Sequence, residues 1–209
     1  MRTILQLNTS LFGEGGQSSQ LATRFAAGLA ARAGAELIVR DFARDPVPHL
    51  DAQRFGAFLA RPQERTPEQS AAVAYSDQLI DELRRADVIV LGLPFYNFGV
   101  PSTLKAYFDH VARAGVTFRY SAKGPEGLLQ GKRVYVLATR GGQYVGTPLD
   151  TQTSYVRDFL AFVGLSDIQF VYAEGLGISE ASRQMALDRA RAAVDDLVHA
   201  ATRSEREAA

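Results

Sequence analysis

The chain has 209 residues, 46% of them hydrophobic, with 23 Lys plus Arg balanced by 23 Asp plus Glu and no cysteine. That length suits one domain with a single buried core, and the neutral balance favours neither nucleic acid nor an anionic membrane as partner. The missing thiols exclude disulfides, thiolate catalysis and Cys-based metal sites. The opening MRTILQLNTS lacks the apolar stretch of a signal peptide, and no window reaches the length of a membrane span. A soluble, cytoplasmic protein is expected.

In chain order the pattern alternates strand and helix. Thr3 to Asn8 reads as the first strand, with Ile4, Leu5 and Leu7 apolar, followed by a polar, Gly-rich loop from Thr9 to Ser19. Leu21, Phe25 and Leu29 recur at four-residue spacing on one face of the next helix, and Ala35 to Phe42 forms the second strand. Residues 43–66 are broken by several prolines. They form either a lid over a site or a surface excursion with a short helix near Phe55 and Leu59. Thr66-Pro67-Glu68-Gln69 has the form of a capping box with proline at the first helical position. Its helix buries Val73, Leu79, Ile80 and Leu83. Val88 to Leu93 is a nearly unbroken apolar run, as in a strand covered on both faces of a parallel sheet.

A helix over 102–114 follows, with Leu104, Tyr107, Phe108 and Val111 on one face. VTFRYSAKGPEGLL suggests a short hairpin. Lys132 to Ala138 is the fourth main strand, Val156, Phe159, Leu160 and Val163 mark a helix, and Ile168 to Ala173 is the fifth strand. The last helix begins near Ser179, with a frayed tail over 203–209. The fold class is α/β: a flavodoxin-like, doubly wound five-stranded parallel sheet of order 2-1-3-4-5 in one domain over 1–202.

In that order the loops after strands one, three and four are neighbours, at the strand ends where open α/β sheets bind ligands. Thr9–Ser19 offers hydroxyls at Thr9, Ser10, Ser18 and Ser19, three glycines and a helix amino terminus, the ingredients of an anion cradle. It carries neither a Walker lysine nor G-x-G-x-x-G, and Ser18 could equally be a plain helix cap. Pro94–Gly99 presents Phe95, Tyr96, Asn97 and Phe98 between prolines. It suits a flat heteroaromatic ring, flavin foremost; the alternative is that these aromatics are core. Thr139, Arg140, Gly141 and Gly142 could form a nest of backbone donors for developing negative charge, or an ordinary strand exit. His49, His110 and His199 are scattered and no metal site is expected.

SLFGEGGQSSQL, PFYNFGVPSTLKAYFDHVARAGVTFRY, GPEGL, GKRVYVLATRGG and FLAFVGL together resemble the FMN-dependent NADH azoreductases, also called NADH:quinone oxidoreductases, over nearly the whole chain. The resemblance implies noncovalent FMN, with its phosphate at Ser10, Gly16, Gln17 and Ser18. The ring would lie against Phe95, Tyr96, Asn97 and Phe98 and against Thr139, Arg140, Gly141 and Gly142. It also implies a homodimer with sites at the interface, where Tyr120 and Phe162 come from the partner and join Phe98 and Phe118 in walling a pocket for planar aromatic substrates. Phe95 departs from the family, where methionine is usual, and Gln143 to Gly146 lies in a segment that varies. The implied activity passes electrons from NADH, with NADPH also possible, by way of FMN to quinones and azo compounds in a ping-pong cycle. The competing function is an FMN-carrying electron shuttle without turnover of its own; the neutral charge and the long 43–66 excursion count against it.

Overall fold

The computed structural model describes residues 2–207. In chain order the elements are β1 (Thr3–Asn8), α1 (Gln17–Ala33), β2 (Glu36–Asp41), α2 (Ala52–Leu59), α3 (Pro67–Arg85), β3 (Val88–Pro94), α4 (Ser102–Val111), β4 (Phe118–Ser121), β5 (Gly124–Gly127), β6 (Arg133–Thr139), α5 (Thr151–Phe162), β7 (Asp167–Ala173) and α6 (Glu180–Glu207). The five parallel strands run in the order β2-β1-β3-β6-β7, and β4 pairs with β5 as a separate antiparallel hairpin. Setting the hairpin aside, this is the expected flavodoxin-like order 2-1-3-4-5. The frayed tail expected over 203–209 falls partly on residues 208 and 209, outside the described residues.

The apolar run in β3 is explained by its two neighbours. Side chains alternate across a strand, so Ile89 and Leu91 join the core under α3, α4 and α5 with Leu79, Leu104, Phe108 and Leu160. Val88 and Val90 join the opposite core, under α1 and α6, with Leu21, Phe25, Val194 and Val198. Every β3 residue is buried, because a central strand has helices on both faces.

Local chemistry sets the boundaries. The Thr66 hydroxyl accepts from Gln69 N at 3.2 Å, and Thr66 N donates to the Gln69 side chain at 3.0 Å, closing the capping box of α3. Helix α1 stops at Gly34, which adopts φ 63° and donates to Ala30 O. Helix α4 ends at Val111, short of the expected 114. There the Thr117 hydroxyl donates to Val111 O at 2.5 Å and accepts from Arg113 N at 3.0 Å, replacing the next helical turn. The 43–66 excursion folds as a surface element: Asp51 caps α2 by accepting from Arg54 N at 2.7 Å, and Ala57 and Phe58 pack on Ala72 and Val73 of α3.

One glycine positions the loops of the site. A side chain on Gly92 would come within 2.9 Å of Ser18 O, so only glycine lets β3 lie against the first turn of α1. The Thr9 hydroxyl then donates to Gly92 O at 2.7 Å, fixing the loop after β1 to β3. With Asn8 level with Gly92, and Pro94 level with Thr139, the three loops leave the sheet side by side.

Candidate functional site

The three loops surround one cleft of about 350 Å³, within the usual range for small-molecule sites. On the first loop, Ser10 Oγ accepts from Phe12 N at 3.2 Å and lies 3.3 Å from the Tyr96 hydroxyl. Gly16 packs so closely on Ser10 that a methyl group there would collide with its Oγ and Cβ. Helix α1 begins directly after Gly16, its first intrahelical bond being Gln20 N to Gly16 O. The amides of Gln17, Ser18 and Ser19 therefore have no acceptor within the helix. No acidic residue occupies this first turn. Ser18 lines the cleft, and its Oγ is buried with no hydrogen-bond partner among the described residues. A buried hydroxyl left unpaired beside free helix amides fits the phosphate of FMN, and a cap would instead leave that hydroxyl bonded within the helix.

The second loop is a tight reversal. Tyr96 N donates to Gly99 O at 3.3 Å and Gly99 N to Tyr96 O at 3.0 Å, with Asn97 at φ 48° and Phe98 at φ 61°. These are the only non-glycine residues at positive φ among the described residues. Positive φ at both central positions is the primed hairpin geometry, and a bulky residue held there is strained. Helix α5 holds this turn from below: buried Gln152 Nε2 donates to Pro94 O and Gly99 O, both at 2.9 Å, and Thr151 donates to Phe98 O at 2.5 Å. Phe95 and Tyr96 are half-buried and Phe98 is 55% exposed, so the loop presents its aromatics and they are not core.

The third loop is anchored by a buried cation. The Arg140 side chain is fully buried, its Nη2 2.8 Å from Asp150 Oδ1 and 2.8 Å from the Thr153 hydroxyl, and its Nη1 3.3 Å from Glu174 Oε1. The guanidinium also packs on the rings of Phe95 at 5.1 Å and Tyr172 at 5.0 Å. Burial opposes ionisation of Asp150, but hydrogen bonds from Arg140 and Thr153 outweigh it and hold that carboxyl below its ordinary range. The Arg140 amide donates to Ala173 O at 2.9 Å, so the expected nest narrows to the amides of Gly141 and Gly142, which make no hydrogen bond within the described residues. Their carbonyls accept from Gly177 and Gly175, both at 2.8 Å.

Of the residues singled out in the sequence, Ser10, Gly16, Gln17 and Ser18 line the cleft from the first loop. Phe95 and Tyr96 line it from the second, and Thr139, Arg140 and Gly141 from the third. Asn97, Phe98 and Gly142 sit on the same turns beside it. Phe118, Tyr120 and Phe162 do not reach it: they cluster together, Phe118 to Phe162 at 4.3 Å and Phe118 to Tyr120 at 5.5 Å. Phe12 lines the cleft from within the SLFGEGGQSSQL block without having been singled out, and Leu176 and Arg183 line it without having been marked by any motif. Leu176 and Arg183 come from beyond β7, where only the strand order could have pointed to them.

A sheet in this order, with an anion cradle and an aromatic turn at one switch point, defines a protein of the flavodoxin class. The profile of that family, described as a flavodoxin-like fold, matches residues 2–198. An FMN-dependent NADH:quinone oxidoreductase of Cellvibrio japonicus is 56% identical over 187 residues, which is 89% of this chain and 94% of that protein. One of Burkholderia lata is 52% identical over 195 residues, 93% of this chain and 98% of the relative. An azoreductase structure from Bacillus anthracis superposes with a TM-score of 0.86 at 24% identity, covering 95% of this chain and 99% of its own. A second B. anthracis structure, an FMN-dependent NADH-azoreductase in complex with FMN, gives 0.83 at 24% identity, covering 95% and 100%. The chain belongs to the family of FMN-dependent NADH:quinone oxidoreductases.

Proposed function

We propose that this chain is an FMN-dependent oxidoreductase that takes electrons from NADH and delivers them to quinones and aromatic azo compounds. The observation that carries the reading is the unpaired, buried Ser18 hydroxyl at the start of α1, sharing one cleft with the aromatic turn of β3. The names of relatives more than half identical to this chain support it.

FMN supplies a two-electron centre that accepts hydride from a reduced nicotinamide and gives electrons up to an oxidant. Ser10, Gln17, Ser18 and the first amides of α1 hold its phosphate. Phe95 and Tyr96 flank the ring, with Asn97 and Phe98 on the same strained turn. Thr139 and Arg140 shape the opposite edge, where the amides of Gly141 and Gly142 supply donors. One open side then serves donor and acceptor in turn, which makes the cycle ping-pong.

The displaced aromatic cluster completes the reading. Tyr120 is 76% exposed on the hairpin and lines no part of its own cleft. In a homodimer, Tyr120 and Phe162, with Phe118 behind them, cover the partner's cleft and make a flat pocket with Phe98. Among the described residues no helix is long and apolar enough to cross a membrane. We place the reaction in the cytoplasm, where reduced nicotinamides are supplied.

The test is the visible absorbance of purified protein reconstituted with FMN under anaerobic conditions. Addition of NADH bleaches it and benzoquinone restores it. Bound flavin that NADH leaves coloured would turn the reading to an electron shuttle, and failure to take up FMN would overturn it.

A further inference from the structure

One ring at the rim of the cleft, Tyr144, belongs to none of the motifs quoted from the sequence. Tyr144 packs against Phe95 with ring centroids 5.0 Å apart and against Phe98 at 6.0 Å, while Phe95 and Phe98 are themselves 5.9 Å apart. The three rings close a triangle of tilted and edge-on contacts, the arrangement that aromatic quadrupoles favour. The phenol end of Tyr144 lies over the third loop: a side chain on Gly142 would meet its Cζ and hydroxyl at 2.8 Å. Tyr144 thus spans the two turns that the ring of a bound flavin would touch.

Its anchor is half-buried although much of its loop is exposed. Glu174 Oε1 accepts from Tyr144 N at 2.8 Å and from Val145 N at 3.0 Å. The same oxygen is 3.3 Å from Arg140 Nη1, and the other arm of that guanidinium is held by Asp150 at 2.8 Å. Arg140 in turn packs on the ring of Phe95 at 5.1 Å. One buried cation therefore supports both the central ring of the triangle and, through Glu174, the backbone that carries Tyr144.

We infer that Tyr144 determines which acceptors the enzyme takes: it extends the Phe95–Phe98 wall so that planar systems of two or more rings are preferred over a single ring. Tyr144 touches the acceptor, and Glu174 and Arg140 are positioning residues. The inference rests on the flavin reading and goes beyond it by naming the acceptor class and the side chain that selects it.

The experiment compares Tyr144→Ala, Tyr144→Phe, Glu174→Ala and Glu174→Gln with the wild type. FMN affinity is read by fluorescence titration, and KM is read for a naphthoquinone and for benzoquinone. Tyr144→Ala is expected to raise the naphthoquinone KM about tenfold, the scale of one lost aromatic contact, and to move the benzoquinone KM much less. Tyr144→Phe keeps the ring and the preference. Glu174→Ala releases the two amides and follows Tyr144→Ala, whereas Glu174→Gln keeps an oxygen acceptor and restores the preference. If Glu174→Ala does not fold, the two Tyr144 variants still decide. Normal FMN affinity with an unmoved ratio of the two KM values in Tyr144→Ala overturns the inference alone. A parallel loss of FMN affinity and of both quinones would make Tyr144 a structural residue and overturn it too. Wild-type protein that binds no FMN overturns the flavin reading and this inference with it.

Discussion

A methyl group on Gly16 would fall on the Oγ and Cβ of Ser10, so the contact between these two residues shapes the cradle at the start of α1. Relief would require Ser10 to shift, and its hydroxyl lies 3.3 Å from that of Tyr96. Overpacking of this kind costs about 1–3 kcal/mol. Gly16→Ala is therefore expected to lower the thermal midpoint by several degrees and to weaken FMN binding at least tenfold in a fluorescence titration. Unchanged affinity would show that the phosphate does not depend on this apposition. Ser10, Gly16, Gln17 and Ser18 are legible in the sequence because they share one short loop beside a helix start. The partners of Arg140 are not, because Asp150, Thr153 and Glu174 arrive from α5 and from the end of β7. No local pattern marks three residues that meet only after the sheet has formed. Phe12 lies in the quoted SLFGEGGQSSQL block but is not singled out there, because an exposed aromatic in a polar loop carries no periodicity.

Helix α4 shows what burial does to a side chain outside the cleft. His110 is fully buried, its Nε2 donating to Pro48 O at 3.1 Å, while Nδ1 has no partner. The rings of Tyr75 and Phe58 stand edge-on to it at 5.3 and 6.2 Å, with Arg54, Asp51 and Asp109 as the charged groups nearby. Burial pushes its pKa below the ordinary value of 6.5, against the bond to Pro48. As pH falls through that ordinary value the unfolded chain binds a proton that the folded chain refuses, so stability declines until the folded pKa is reached. His110→Gln, which keeps a donor for Pro48, is expected to flatten the dependence of the thermal midpoint on pH just below 6.5. It would leave the steeper acid limb, where Asp87 and Asp150, both held below the ordinary carboxylate range, lose stability as they protonate. Equal slopes for wild type and variant near pH 6 would refute the burial argument. At this scale the chain is highly legible, because strands sandwiched by helices and a capping box are local statements. The early end of α4 is less so: Thr117, six residues beyond Val111, takes the carbonyl that a further turn would have used.

Over the whole molecule, six of the eleven exposed large apolar side chains among the described residues lie at one end of the sheet. Leu11 and Phe12 follow β1, Phe98 follows β3, Val145 and Leu149 follow β6, and Ile178 follows β7, all at the carboxyl ends of parallel strands. Grouped exposure of this kind marks an interaction surface, and it surrounds the cleft. Val145, Leu149 and Ile178 belong to no sequence motif, since exposure depends on what the rest of the chain fails to cover. The Phe118–Tyr120–Phe162 cluster lies elsewhere on the same chain. A second copy would bring that cluster to the apolar rim, and each site would then be built from both protomers. Light scattering should give a mass twice the 22.7 kDa of one chain. A subunit-mixing experiment tests the sharing itself. Gly16→Ala spoils the cradle of its own chain but leaves Tyr120 to offer, while Tyr120→Ala keeps an intact cradle and lacks the covering ring. Each homodimer should reduce quinone poorly, yet a mixed dimer holds one complete site. Unfolding and refolding the two together should therefore restore about a quarter of wild-type activity, because random pairing makes half the dimers mixed and each has one good site of two. A monomeric mass, or a mixture no more active than its components, would return Tyr120 to the status of a surface residue.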